Sequence, residues 1–119
     1  GAARLIRNIV THSEQFGDII GYENHSGQTM LGANMTPLGT VVLGAGNNER
    51  DGHEGVLYHN VIGTYLHGSL LPKNPRVADF LIETAWKRRY PKEQLPPLNA
   101  PHIDELTERA RTTAAARPR

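Results

Sequence analysis

A chain of 119 residues with a net charge of +1, 38% hydrophobic and 21% charged, is long enough for one domain with a core and is too apolar for a disordered segment. So small a charge gives no footprint for nucleic acid, because the basic residues are split between Lys87-Arg88-Arg89 and scattered tail arginines. No stretch approaches the ~20 apolar residues of a membrane span, the first residues lack the apolar region of a signal peptide, and the absence of cysteine excludes a disulfide framework or thiolate metal site within the chain; a cytoplasmic location is expected.

All twelve glycines lie at or before residue 68, and most of the eight prolines lie after residue 70. This distribution predicts turn-rich β structure followed by a helix and an extended tail. Leu5, Ile6, Ile9 and Val10 mark a strand over residues 3–12. After a polar break at residues 13–17, the segment from Ile19 to His25 begins apolar and ends in Glu23-Asn24-His25, as a core strand does when it delivers polar groups at its tip. Leu38 to Leu43 is a third strand. Residues 44–55 are dense in glycine, asparagine and aspartate, which predicts a turn held by side-chain-to-backbone hydrogen bonds. Gly44-Ala45-Gly46 is not a phosphate loop, since no Lys-Ser/Thr pair follows and no helix opens there. Val56 to His59 and Val61 to Leu66 are further strands, and with the turn they predict a hairpin or long β connection.

Leu70-Leu71-Pro72-Lys73-Asn74-Pro75 ends the β region. Asn74 is a predicted N-cap with Pro75 at the first helical position. The helix runs to about Arg89, with Val77, Phe80, Leu81, Thr84 and Ala85 on one face and Lys87, Arg88 and Arg89 in the last turn, where positive charge suits the helix dipole. Residues 94–101 are an extended linker. Residues 104–116 have the pattern of a short helix, and residues 112–119, low in complexity, are expected to lack order. The division is residues 1–93 for the domain part and residues 94–119 for linker and tail. One convincing helix cannot cover both faces of a parallel sheet, so the chain is expected to complete a larger sheet.

His67 stands at the end of the apolar run 61–66 with Gly63 and Gly68 on either side, a usual presentation of a general base. From its position alone, His67 is either a structural histidine or one whose reaction partner lies outside this polypeptide. His53, His59 and His67 follow no zinc-ligand spacing, and no metal is expected.

Three ordered segments carry a resemblance: Gly21-Tyr22-Glu23-Asn24-His25-Ser26-Gly27-Gln28-Thr29; Gly44-Ala45-Gly46-Asn47-Asn48 with Asp51 and Glu54-Gly55; and Gly63-Thr64-Tyr65-Leu66-His67-Gly68 followed by Leu70 to Pro75. Over about residues 5–86 the chain resembles the class I glutamine amidotransferase domain of the cobyric-acid-synthase-like group. Within that group it resembles the glutaminase subunits of bacterial lipid II isoglutaminyl synthases. The resemblance implies an α/β fold, the C-terminal half of a flavodoxin-like domain, β-rich here with one long helix. It implies that a cysteine nucleophile lies in the preceding half, and that this chain alone is inactive.

The implied reaction is hydrolysis of glutamine to glutamate and ammonia. A Mur-ligase-like partner, which holds ATP and Mg, would use the ammonia to amidate the peptidoglycan precursor lipid II at the inner face of the membrane. No cofactor is implied for this chain. By the resemblance His67 is the catalytic base. Glu23, Asn24 and His25 are either a polar strand end whose side chains pin a neighbouring loop or the border of the glutamine pocket, with Asn24 or His25 holding a loop near the nucleophile; Glu23 is also a candidate third acid. Where many members have a glutamate two residues past the histidine, this chain has Ser69, which leaves either a dyad or an acid from another segment. Two alternatives remain: amidation of a corrinoid precursor, and a non-catalytic docking module.

Overall fold

The computed structural model describes residues 3–97 and 99–117. Gly1, Ala2, Leu98, Pro118 and Arg119 lie outside that range, so the expectations that touch them, the ends of the two segments and one residue of the linker, have no structural counterpart there.

Strands β1 (Leu5–Ser13) and β2 (Gly17–His25) form an antiparallel hairpin, from Ser13 opposite Gly17 out to Leu5 opposite His25. Residues directly opposite one another share a face of the sheet. One face therefore carries Leu5, Ile9 and Thr11 of β1 with Ile19, Gly21, Glu23 and His25 of β2, all of them buried. β3 (Gly39–Leu43) pairs with the other edge of β1, and β4 (His53–Glu54) pairs with β3, giving the antiparallel order β2-β1-β3-β4. A second hairpin joins β5 (Val56–Tyr58) to β6 (Val61–Gly63). Its tight turn has His59 at φ 53°.

The core comprises Ile9, Phe16, Ile19, Leu38, Leu66 and Val77, with Val41, Leu57, Ile62, Leu70 and Phe80 against it. Each large aliphatic side chain fully withdrawn from water contributes about 1.5–3 kcal/mol. Phe16, at the β1–β2 turn, meets Phe80 edge to face at 5.3 Å and so ties the hairpin to the helix.

A short helix α1 (Leu70–Lys73) precedes α2 (Pro75–Arg89). The bounds of α2 are those its pattern predicts, but its inner face is narrower: Val77 is buried and Phe80 half-buried, while Leu81 is 39% exposed. Asn74 precedes α2 as expected, yet its side chain does not cap it. The amide instead accepts from the Ile20 N–H at 2.8 Å and donates to the Ile20 carbonyl at 2.7 Å, pairing with the edge of β2 as a neighbouring strand residue would.

The expectation of one long helix is corrected. α3 (Pro101–Ala116) has sixteen residues, begins three residues before the predicted segment, and continues through Thr112 to Ala116, where no order is expected. Alanine-rich sequence with Pro101 at the first position favours a helix. Arg111 docks it, donating to the Lys73 carbonyl, the Asn74 Oδ1 and the Asp18 carbonyl at 2.8–3.0 Å. Sheets and helices together make the chain an α/β protein in the broad sense, with every strand pair antiparallel among the described residues.

Candidate functional site

The strand leading to His67 is shorter than its apolar run predicts. β6 ends at Gly63, and the chain then turns away from the hairpin. The cause is Glu54, whose side chain is fully buried. Its carboxylate accepts the Tyr65 N–H at 2.8 Å and the Thr64 hydroxyl at 3.0 Å from each oxygen. Thr64 Oγ1 in turn accepts the Leu66 N–H at 3.0 Å. Redirected in this way, Leu66 forms an isolated bridge with Glu23 of β2 and buries its side chain in the core. Gly21 makes room for it: a Cβ at that position would lie 2.9 Å from Leu66 Cδ2.

His67 follows at once. Its N–H donates to the Tyr22 carbonyl at 2.7 Å, and its ring Nε2 lies 3.2 Å from the Asn24 carbonyl oxygen. A carbonyl only accepts, so Nε2 carries the proton and, in the neutral ring, Nδ1 holds the free lone pair. The imidazole is exposed. It is therefore an imidazole held by main-chain oxygens at its backbone N–H and at its ring, with the ring exposed.

The other sequence candidates gather at this corner of the sheet, each with a different task. Asn24 supplies the main-chain oxygen that orients His67, while its side chain accepts from Arg4 Nε at 2.6 Å. Glu23 is fully buried. Its carboxylate accepts the Ala45 and Gly46 N–H groups at 2.7 and 3.0 Å, and Arg7 Nε lies 3.6 Å away. These bonds direct Glu23 to the 45–46 loop and not to the His67 ring. His25 donates from Nδ1 to the Gly27 carbonyl at 2.8 Å and stacks on Tyr65, with ring centroids 3.8 Å apart and planes within 7°. The Tyr65 hydroxyl closes the corner by bonding Thr29 Oγ1 at 2.7 Å. Ser69 has left-handed backbone, φ 62°, and forms no side-chain bond at the start of α1.

Beneath lies the loop joining β3 to β4, built as its composition predicts. Asn48 Oδ1 accepts the Arg50 and Asp51 N–H groups, and Asp51 Oδ1 accepts the His53 N–H. Asn47 pairs with the Gly55 backbone through both its amide atoms. The Asn48 amide, and then the His53 N–H, hold the Asp51 carboxyl below its usual range. Burial pushes Glu54 the other way, above the ordinary glutamate value, opposed by its bonds from Tyr65 and Thr64; the Glu23 charge raises it further and His25 lowers it. Among the described residues no group of three or more metal-binding side chains is gathered.

Sequence reading did not single out Glu54 or Thr64 for a task. Glu54 sits in the run of turn formers, and the nine residues between it and Thr64 leave no periodic trace. The one available signal is an acid at the inner end of a polar turn, beside a glycine, where the chain re-enters the core.

Residues 1–75 match the CobB/CobQ-like glutamine amidotransferase domain. Over 86 residues the chain is 48% identical to the lipid II isoglutaminyl synthase (glutamine-hydrolyzing) subunit GatD of Staphylococcus aureus (strain N315), covering 72% of this chain and 35% of that protein. Over 95 residues it is 46% identical to the subunit of the same name from Streptococcus pneumoniae (strain ATCC BAA-255 / R6), covering 78% and 36%. A probable cobyric acid synthase of Methanosphaera stadtmanae is 44% identical over 64 residues, 54% of this chain and 12% of that protein. The chain thus spans about a third of the length of the two lipid II relatives. With a match over well more than half its length, the chain belongs to the CobB/CobQ-like family of glutamine amidotransferase domains.

Proposed function

We propose that this chain is the histidine-bearing half of a glutaminase site, the C-terminal part of a flavodoxin-like domain whose first half carries the nucleophilic cysteine. The observation that carries the reading is the exposed His67 imidazole, oriented by the Asn24 carbonyl so that Nδ1 is the basic nitrogen. A cysteine thiol brought to that nitrogen loses its proton and attacks the side-chain amide of glutamine; the histidine then protonates the departing ammonia, and water releases glutamate from the thioester. With no cysteine of its own, the chain alone does not perform the first step.

The ammonia passes to a Mur-ligase-like synthetase subunit, which holds ATP and Mg and amidates lipid II at the cytoplasmic face of the membrane. Lipid II is favoured over a corrinoid acceptor because the lipid II subunits match 72–78% of the chain and the corrinoid relatives 54–55%. No described helix is long and apolar enough to cross a membrane.

The test is glutamate release by the full-length subunit with its partner. His67→Ala is expected to lower kcat by about 10³-fold or more, in line with loss of a general base that also activates the nucleophile, while the two subunits still co-elute. Glutamate release at the wild-type rate would exclude the assignment.

A further inference from the structure

We infer that Glu54 is a positioning residue for His67, acting on the histidine through the Thr64–Tyr65 main chain and not through the imidazole ring. The inference rests on the glutaminase reading and deepens it, since it names a buried acid that supports the base in a chain with Ser69 where family members often have glutamate.

Three observations carry it. First, the carboxylate is fully buried, and its hydrogen bonds go to the segment immediately before His67: the Tyr65 N–H and the Thr64 hydroxyl. Second, those bonds decide the course of the chain. Thr64 Oγ1 passes the constraint to the Leu66 N–H, and the redirected Leu66 and His67 join β2 through the Glu23–Leu66 bridge and the bond from His67 N–H to the Tyr22 carbonyl. Third, the same residue is anchored below. Its backbone pairs with Gly39, and the next residue, Gly55, is locked to Asn47 by two hydrogen bonds. Gly55 has φ 67°, and a Cβ there would lie 2.6 Å from the Gly63 carbonyl oxygen, so no bulkier residue lets β4 approach β6. A buried acid is costly to keep unless its acceptors are filled, and here they are filled by the two groups that aim the histidine. Displacing His67 by an ångström relative to a reactant held elsewhere is enough to lower kcat on the order of 10²-fold.

The experiment uses the full-length subunit with its partner and two pairs of variants. Glu54→Met keeps the chain length and removes both acceptors, while Glu54→Gln keeps one acceptor oxygen. Thr64→Val removes the hydroxyl at constant shape, while Thr64→Ser restores it. The expected result is a fall in glutaminase kcat of roughly 10- to 100-fold for Glu54→Met and Thr64→Val, with KM for glutamine within about twofold. Glu54→Gln and Thr64→Ser should recover most of the loss. A second readout does not use activity: nitrogen-15 spectra of the His67 ring should show the Nε2–H tautomer in the wild type and a mixture of tautomers in the two disabling variants.

If Glu54→Met does not fold, the Thr64 pair decides. A wild-type kcat and an unchanged tautomer in Thr64→Val would overturn the inference, as would Thr64→Ser behaving like Thr64→Val. If the wild type and His67→Ala release glutamate equally, the glutaminase reading fails, and the tautomer measurement alone then judges whether Glu54 orients the ring.

Discussion

A buried carboxylate is an unusual foundation for a loop, and this chain uses two. Glu23 holds residues 45 and 46 from below, and Glu54 holds residues 64 and 65. Glu23 accepts two buried backbone N–H groups and Glu54 accepts the Tyr65 N–H with the Thr64 hydroxyl; a buried N–H left without a partner costs about 1–3 kcal/mol. The glycines at 44 and 46 belong to the same construction: both have positive φ, and a Cβ on Gly44 would press on Ile9 Cγ1 at 2.8 Å and on the Glu23 carboxylate at 3.2 Å. The arrangement makes Glu23→Gln informative. The amide oxygen can serve one of the two N–H donors, but its NH2 must then face the other, donor against donor. Urea unfolding of that variant is expected to show a loss of about 1–3 kcal/mol; an unchanged midpoint would mean that the loop does not depend on the carboxylate.

At the scale of elements, Asn74 and Arg111 join what the chain order separates. Asn74 pairs with the edge of β2 through Ile20 and also donates to the Leu70 carbonyl at 2.8 Å, so one side chain ties sheet, α1 and α2. Arg111 fixes α3 to the same junction through three acceptors. Replacing Arg111 with alanine leaves the helix-forming sequence intact but removes these bonds. Amide exchange across residues 101–116 is expected to quicken about tenfold or more, while α2 keeps its protection; unchanged exchange in α3 would show that its docking does not depend on Arg111. The same two residues mark what the sequence reveals and what it hides. β1, β2 and α2 were legible because their apolar residues recur at the period of the element, and the turn at 44–55 because asparagine and glycine act locally. Asn74 looked like a cap because capping is local, whereas its real partner, Ile20, lies 54 residues away. The docking of α3 was hidden for the same reason, and the corner around His67 was legible in its residues but not in its wiring.

For the whole molecule, the two shifted carboxyl groups act on stability in opposite senses. Asp51 has a folded-state value below 3.8, so its ionised form favours the fold; that contribution is present above the unfolded value and is lost as the pH falls through the folded one. Glu54 has a folded-state value above 4.5, chiefly through burial. Between 4.5 and that higher value the native state binds more protons than the unfolded chain, so stability falls as the pH rises through the window. The groups that act on Glu54 are the Glu23 carboxylate, His25, Thr64 and Tyr65. Glu54→Gln removes the charge along with one acceptor oxygen, and only the loss of charge makes its effect vary with pH, which isolates the charge's part. The stability of Glu54→Gln relative to the wild type, from denaturant unfolding in steps from pH 4 to pH 8, should rise with pH and then level off once Glu54 is ionised in the native wild type. A difference that stays flat over the whole range would mean that burial does not disfavour the charge. A rising difference would show that the ionised Glu54 carboxylate costs stability that a neutral side chain in its place does not lose with pH. That is the pattern expected when a buried acid is retained for the geometry it imposes on its neighbours and not for stability.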